Sequence, residues 1–217
     1  ANTLKYISIT TSANFGNMVS MAAVTPFLPF LPLAAKQILL NNFLSDLPSL
    51  AIAGDRVDAE RLAAPQRWDL AGIRRFMIVF GLISSVFDLL TFALLIFVMN
   101  AGEPLFQTAW FMISLLTELA VVLVLRTRRP AFRSRPGPLL LWATAAVLVL
   151  TCAIPWLGPL SAAFGFVPLP AAMLVVIGAI LLGYIAVTEA LKVWLFRPGK
   201  PLQPNRVGKG SRDAAPR

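Results

Sequence analysis

Histidine does not occur in the 217 residues, and cysteine occurs once, at Cys152. The first absence removes the side chain most used to ligate zinc and haem, and the second removes any disulfide framework. Charge is scarce too. Asp, Glu, Lys and Arg together make up 13% of the chain, roughly half of what a soluble domain carries. Acids are the rarer sign, 10 against 19 basic residues, which leaves a net charge of +9. What fills the space is apolar: 58% of the residues are hydrophobic and the mean hydropathy is +0.76. Such a chain builds its core against lipid and neighbouring helices, as an integral membrane protein. It opens ANTLKYI, with no initiator Met and no signal-peptide pattern, and reads as the end of a longer polypeptide.

The apolar runs predict helices over 4–25, 33–53, 74–99, 108–125, 139–156 and 169–196, each of about the ~20 residues that a span needs. Between them lie a Pro-rich turn (Pro26, Pro29, Pro32), a polar loop Gly54–Gly72, a turn Asn100–Gln107, a basic loop Arg126–Pro138 and a turn Gly158–Pro168. Basic residues alternate with the connections. Arg56, Arg61, Arg67, Arg74 and Arg75 follow the second run, and Arg126, Arg128, Arg129, Arg133 and Arg135 follow the fourth. Lys192, Arg197, Lys200, Arg206, Lys209, Arg212 and Arg217 close the chain, while the other turns hold only Lys36. Because Lys and Arg stay on the cytoplasmic side, the expected fold is an all-α membrane protein, a six-transmembrane-helix bundle with both termini cytoplasmic. Residues 1–196 form the membrane domain, and 197–217 a basic tail whose composition predicts disorder. The excess positive charge is then explained by topology and lipid headgroups, and nucleic-acid binding has no separate support.

The second run carries the chemistry. PLAAKQILLNNFLSDLPSLAIAGDRVD, Pro32–Asp58, is apolar yet holds Asn41, Asn42, Ser45 and Asp46, with Pro48 two residues later. A carboxylate in hydrocarbon costs a few kcal/mol, so an intramembrane Asp marks a functional site by default. Pro48 has no N–H, and its ring crowds the carbonyl of Leu44, which frees that oxygen and loosens the one at Ser45. Asn42 and Asp46 lie about 40° apart around a helix and share a face. Carboxylate, amide, hydroxyl and loosened carbonyls make an oxygen-only environment suited to Mg²⁺ or Ca²⁺. In the first run Thr10, Asn14 and Asn17 recur at helical spacing. The plain reading of that stripe is hydrogen bonding between helices; beside Asp46 it also supplies Asn14, and then Asn17, as ligands.

Three further acids sit in apolar surroundings. Asp88 is expected to play a structural part, bonding a neighbouring helix, with Ser84, Ser85 and Thr91 close enough on its own helix to help satisfy it. Glu118, near Ser114 and Thr117, is a secondary candidate for the ion pathway. Glu189, three residues before Lys192, predicts an interfacial ion pair. Cys152 is read as a small packing residue. Ala179/Gly183 and Ala186/Ala190 give small-xxx-small spacing, which predicts close packing of the last helix.

NTLKYISITTSANFGNMVS and LLNNFLSDLPSLAIAGDRVD resemble the fifth and sixth membrane helices of a bacterial magnesium-translocating P-type ATPase. RWDLAGIRRFMIVFGLISSVFDLLTFAL and FQTAWFMISLLTELAVVLVLRTRRP are similar to its seventh and eighth. The last two runs match it mainly in length and hydropathy, so the resemblance covers Asn2 to about Phe196. It implies the C-terminal membrane part of an ATP-driven pump importing Mg²⁺ across the bacterial inner membrane, with Asn14, Asn42 and Asp46 on cation-binding positions. Ser45 joins that ligand set, and Asn17 and Glu118 stand behind it. The partners implied are the lipid bilayer, the pump's first four helices and its cytoplasmic nucleotide-binding, phosphorylation and actuator domains. The family's phosphorylation motif D-K-T-G-T and its T-G-E loop do not occur here, so this segment is not expected to hydrolyse ATP alone. Two other readings remain: a related pump moving H⁺ or Ca²⁺, or a truncated or stand-alone six-helix protein without transport activity.

Overall fold

A computed structural model describes residues 2–56, 70–127 and 129–196, and among them no strand occurs. Six long helices dominate: α1 (Asn2–Val24), α2 (Ala35–Ala51), α3 (Leu70–Ala93), α4 (Glu103–Leu125), α5 (Pro138–Ala153) and α6 (Ala171–Leu195). Their limits follow local chemistry. Thr25–Phe27 tightens into a 3₁₀ turn at Pro26, and Gln37 folds back so that its Oε1 accepts the Ala34 N–H at 2.9 Å, opening α2. The last turn of α3 widens to a π turn, Leu94–Val98, with Met99 N–H donating to the Leu94 carbonyl. Asn100 then takes φ = 47°, a left-handed conformation that Asn tolerates as a helix stop.

The fourth helix begins earlier than its hydropathy suggests. Gly102-Glu103-Pro104 is a helix start, with proline in the first turn and an acid beside the N-terminal dipole. Most of the expected turn Asn100–Gln107 is therefore helical. The expected turn Gly158–Pro168 likewise contains a single-turn helix, Pro159–Phe164, set between left-handed Gly158 and Gly165. Arg61, Arg67, Arg128 and the tail 197–217 lie outside the described residues.

Helix α4 is the axis of the bundle. Of its most apolar stretch 94% is buried, against 28% for α6 and 33% for α5. Around it α1 packs on α3, α2 packs on α5, and α6 packs on α3 and α4 itself. Aromatic rings fill the joints: Phe92 meets Trp110 edge-on at 4.7 Å, and Phe87 meets Tyr184 at 5.3 Å. The closest helix pair is α1–α3. A Cβ on Gly16 would stand 2.9 Å from the Gly81 carbonyl oxygen, and one on Gly81 would stand 2.6 Å from the Phe15 ring. Only glycine lets two helix backbones approach so closely. The expected small-residue seam on α6 is not used this way, because Ala179, Ala186 and Ala190 are exposed. Cys152 is exposed as well, not a packing residue.

Four of these helices are long and apolar enough to cross a membrane: Leu70–Val98, Glu103–Leu125, Pro138–Trp156 and Ala171–Leu195. Helix α2 has 17 residues, about 26 Å of rise, and α1 dilutes its hydropathy with Lys5 and a polar stripe. Both helices are tied into the bundle at its ends. At one end Asp55 is enclosed by Lys5 Nζ (2.9 Å), Arg126 Nη1 (3.5 Å) and the Gly137 N–H (2.9 Å), which joins α1, α2, α4 and α5. At the same end Lys192, fully buried, donates to Glu189 (2.8 Å) and to the Val124 carbonyl (2.9 Å). Glu189 also accepts the Ala131 N–H at 3.0 Å. That is a buried clasp between α6 and the loop after α4, more than the surface ion pair expected there. At the opposite end Gln37 donates to the Phe164 carbonyl and Gln107 to the Leu31 carbonyl.

Candidate functional site

Between α1 and α2, floored by α4, lies a cavity of about 370 Å³. Its existence follows from the packing: α1 rests on α3 and α2 on α5, so the polar flanks of the two helices face each other with little between them. Asn14, Asn17, Asn42, Ser45, Asp46 and Glu118 all line it. The sequence singled out these six residues on three separate helices, and the fold brings them to one space.

Their environments differ. Asn14, Asn42 and Asp46 are exposed at the open side, Ser45 and Asn17 are half-buried, and Glu118 is buried at the floor. Asp46 forms no ion pair among the described residues, so its charge is available to a ligand. Asn17 spans the cavity, its Nδ2 donating to Glu118 Oε1 at 2.5 Å. Ser114 Oγ lies 3.5 Å from the Asn17 side-chain oxygen Oδ1, at the outer limit of a hydrogen bond. Ser45 Oγ donates to the Asn42 backbone carbonyl at 3.2 Å, in the turn before the buried Pro48.

Among the described residues, three buried oxygens on residues that line the cavity have no hydrogen-bond partner: Glu118 Oε2, Asn41 Oδ1 and Thr10 Oγ1. Leaving such groups unpaired costs about 1–3 kcal/mol each, and a site that awaits a cation is one physical reason to tolerate it. Asn41 and Thr10 were not chosen from the sequence. Thr10 belongs to the stripe that gave Asn14 and Asn17, and Asn41 adjoins Asn42, but a helix turns about 100° per residue and one-residue neighbours face different ways. Only the packing shows that both border the same space.

The lining offers carboxylates, amide and hydroxyl oxygens, and no thiol or imidazole. Oxygen donors of this kind suit hard cations such as Mg²⁺, which keeps part of its water shell and is held by one or two carboxylates. Among the described residues no group of three His, Cys, Asp or Glu is close enough to hold a metal ion. Asp88 lies behind the cavity, bonded to Ser20 and Trp110. Its expected neighbours Ser85 and Thr91 satisfy backbone carbonyls instead, Ser85 those of Gly16 and Gly81, and Thr91 that of Phe87.

Comparison with known proteins gives consistent matches. The family described as "Cation transporting ATPase, C-terminus" matches residues 30–194. A "Magnesium-transporting ATPase, P-type 1" of Escherichia coli (strain K12) is 42% identical over 197 residues. One of Salmonella typhimurium (strain LT2) is 41% identical over 197 residues, and a second from that strain is 38% identical over 196. Each match covers 88% of this chain and 22% of the relative's length.

Proposed function

This chain belongs to the cation transporting ATPase C-terminus family, and from that premise we propose that it forms the ion-binding membrane part of a P-type pump that moves Mg²⁺ into the cell. The observation that carries the proposal is the convergence of Asp46, Asn14, Asn17, Asn42, Ser45 and Glu118 on one cavity. All six long helices cross the membrane in this reading, and both termini are cytoplasmic. The end that holds Lys5, Arg126 and Lys192 is the inner one.

A partly hydrated Mg²⁺ enters from the open side, where Asp46 supplies charge and Asn14 and Asn42 supply amide oxygens. The carbonyl freed by Pro48 adds an acceptor that a regular helix would not offer. Glu118 stands at the floor with one oxygen already held by Asn17 and the other open. Charge in the site is kept low enough for the ion to leave. Energy comes from ATP hydrolysed in other parts of the pump, and α1 transmits the movement to Asn14 and Asn17. In the complete pump, Asp46→Asn abolishes Mg²⁺-supported growth while membrane insertion is retained. Normal transport by that variant removes Asp46 from the site.

A further inference from the structure

Asp88 is a buried acid that the cavity does not use. It sits on α3 with 4% exposure, and α3 contributes no lining residue. Yet it bonds two helices that do line the cavity. Ser20 of α1 donates from Oγ to Asp88 Oδ2 over 2.6 Å, and Trp110 of α4 donates from Nε1 to Oδ1 over 3.3 Å. No ion pair reaches it among the described residues. An apolar residue would fill such a position at lower cost than a carboxylate held only by neutral donors.

We propose that Asp88 is a positioning residue for the cation site, fixing α1 and α4 so that Asn17 and Glu118 meet across the cavity. This rests on the transport reading above. Ser20 lies one turn beyond Asn17, so holding Ser20 sets the rotation of the turn that carries the amide. At a side-chain radius of about 6 Å, a rotation of ~20° moves that amide by ~2 Å, enough to break its 2.5 Å bond to Glu118. Trp110 lines the cavity itself, eight residues before Glu118 on the same helix, and its ring is pinned between the Asp88 bond and the edge of Phe92. Ser20 has one hydroxyl proton and two acceptors in reach, Asp88 and the Gly16 carbonyl (2.8 Å). The carboxylate oxygen is the nearer and the stronger acceptor of the two, so the Ser20 proton goes to Asp88.

The test is Mg²⁺ uptake by cells carrying the complete pump, measured across a range of external Mg²⁺. Asp88→Ala raises the half-saturating Mg²⁺ about fivefold or more, while phosphoenzyme formation from ATP persists. Asp88→Asn, which keeps an acceptor for Ser20, falls between parent and Asp88→Ala. Trp110→Phe and Ser20→Ala each raise the half-saturating concentration, and neither adds to Asp88→Ala. Parental half-saturation in Asp88→Ala overturns the proposal, as does an Asn variant no better than Ala. If Asp88→Ala does not reach the membrane, parental half-saturation in both Trp110→Phe and Ser20→Ala overturns it. Absence of Mg²⁺ uptake by the parent defeats the transport reading instead, whereas normal uptake by Asp46→Asn only removes Asp46 from the site.

Discussion

Replacing Asp55 by alanine strips the counter-charge from two buried cations at once. The side chains of Lys5, Arg126 and Asp55 are 1%, 2% and 0% exposed. Lys5 keeps a bond to the Arg56 carbonyl and Arg126 keeps one to the Ser134 carbonyl, but neither keeps an anion. Breaking a buried pair from one side costs about 3–5 kcal/mol. The Gly137 N–H at the start of α5 also loses its acceptor, which adds about 1 kcal/mol or more. For a folding unit of this size each kcal/mol lowers the unfolding midpoint by about 2–4 °C, so a loss of about 4–6 kcal/mol gives an expected fall of about 8–24 °C. The assay is thermal unfolding of the detergent-solubilised complete pump, followed by tryptophan fluorescence and by the monodisperse fraction after heating. Asp55→Asn, which keeps an acceptor for Gly137, falls by less. The triple change Lys5→Met, Asp55→Leu and Arg126→Met removes all the charges together and recovers much of the loss. An Asp55→Ala midpoint within about 2 °C of the parent would refute the reasoning, and so would a triple variant no better than the single.

The α1–α3 contact is equally exposed to a single change. Gly16→Val places new atoms 2.9 Å or less from both the Gly81 carbonyl and Ser84 Cβ, and lowers the midpoint through a loss of the ~1–3 kcal/mol of an overpacked core or more. Gly54→Ala, whose nearest neighbour would stand 3.8 Å away, leaves it unchanged. Glu118→Gln keeps an acceptor for Asn17 but removes the charge at the floor; it raises the external Mg²⁺ needed for half-maximal uptake without lowering the thermal midpoint. Cys152, exposed on α5, reacts with a water-soluble maleimide in detergent and is protected in sealed membranes.

The helices and the six candidate ligands were legible in the sequence because both leave local marks. Apolar runs of about span length predict helices wherever they fall, and polar residues inside such runs stand out by contrast. The helix starts at Glu103 and Pro159 were hidden because hydropathy locates a span and says little about where its cap lies. Asp55 looked like part of a polar loop, since nothing in its neighbours reveals that Lys5, Arg126 and Gly137 close around it from far along the chain. Small-residue spacing pointed to the wrong helix. Ser12, Gly16 and Ser20 on α1 face Gly81 and Ser85 on α3, and the alanines of the α6 spacing face outward. A pattern of small side chains permits close approach, but which helix takes the offer depends on partners that one helix does not encode. Asp88 is the clearest case: a bond to a neighbouring helix was anticipated, but that it reaches two helices at once, through Ser20 of α1 and Trp110 of α4, shows only in the packing.

Helix α4 has almost no surface of its own. Enclosed by its neighbours from Phe106 to Leu125, with Leu123 the one partly open position in that stretch, it can present Ser114, Thr117 and Glu118 without setting a polar group against acyl chains. A carboxylate on the outward face of α5 or α6, away from the clasp that holds Glu189, would have to be withdrawn by tilting or thinning the bilayer. The same enclosure leaves α4 little room for change, since a gain or loss of volume at nearly any position meets packed atoms. Sequence drift in related chains should therefore gather on the outward faces of α5 and α6 and leave α4 largely alone, a pattern set by crowding alone.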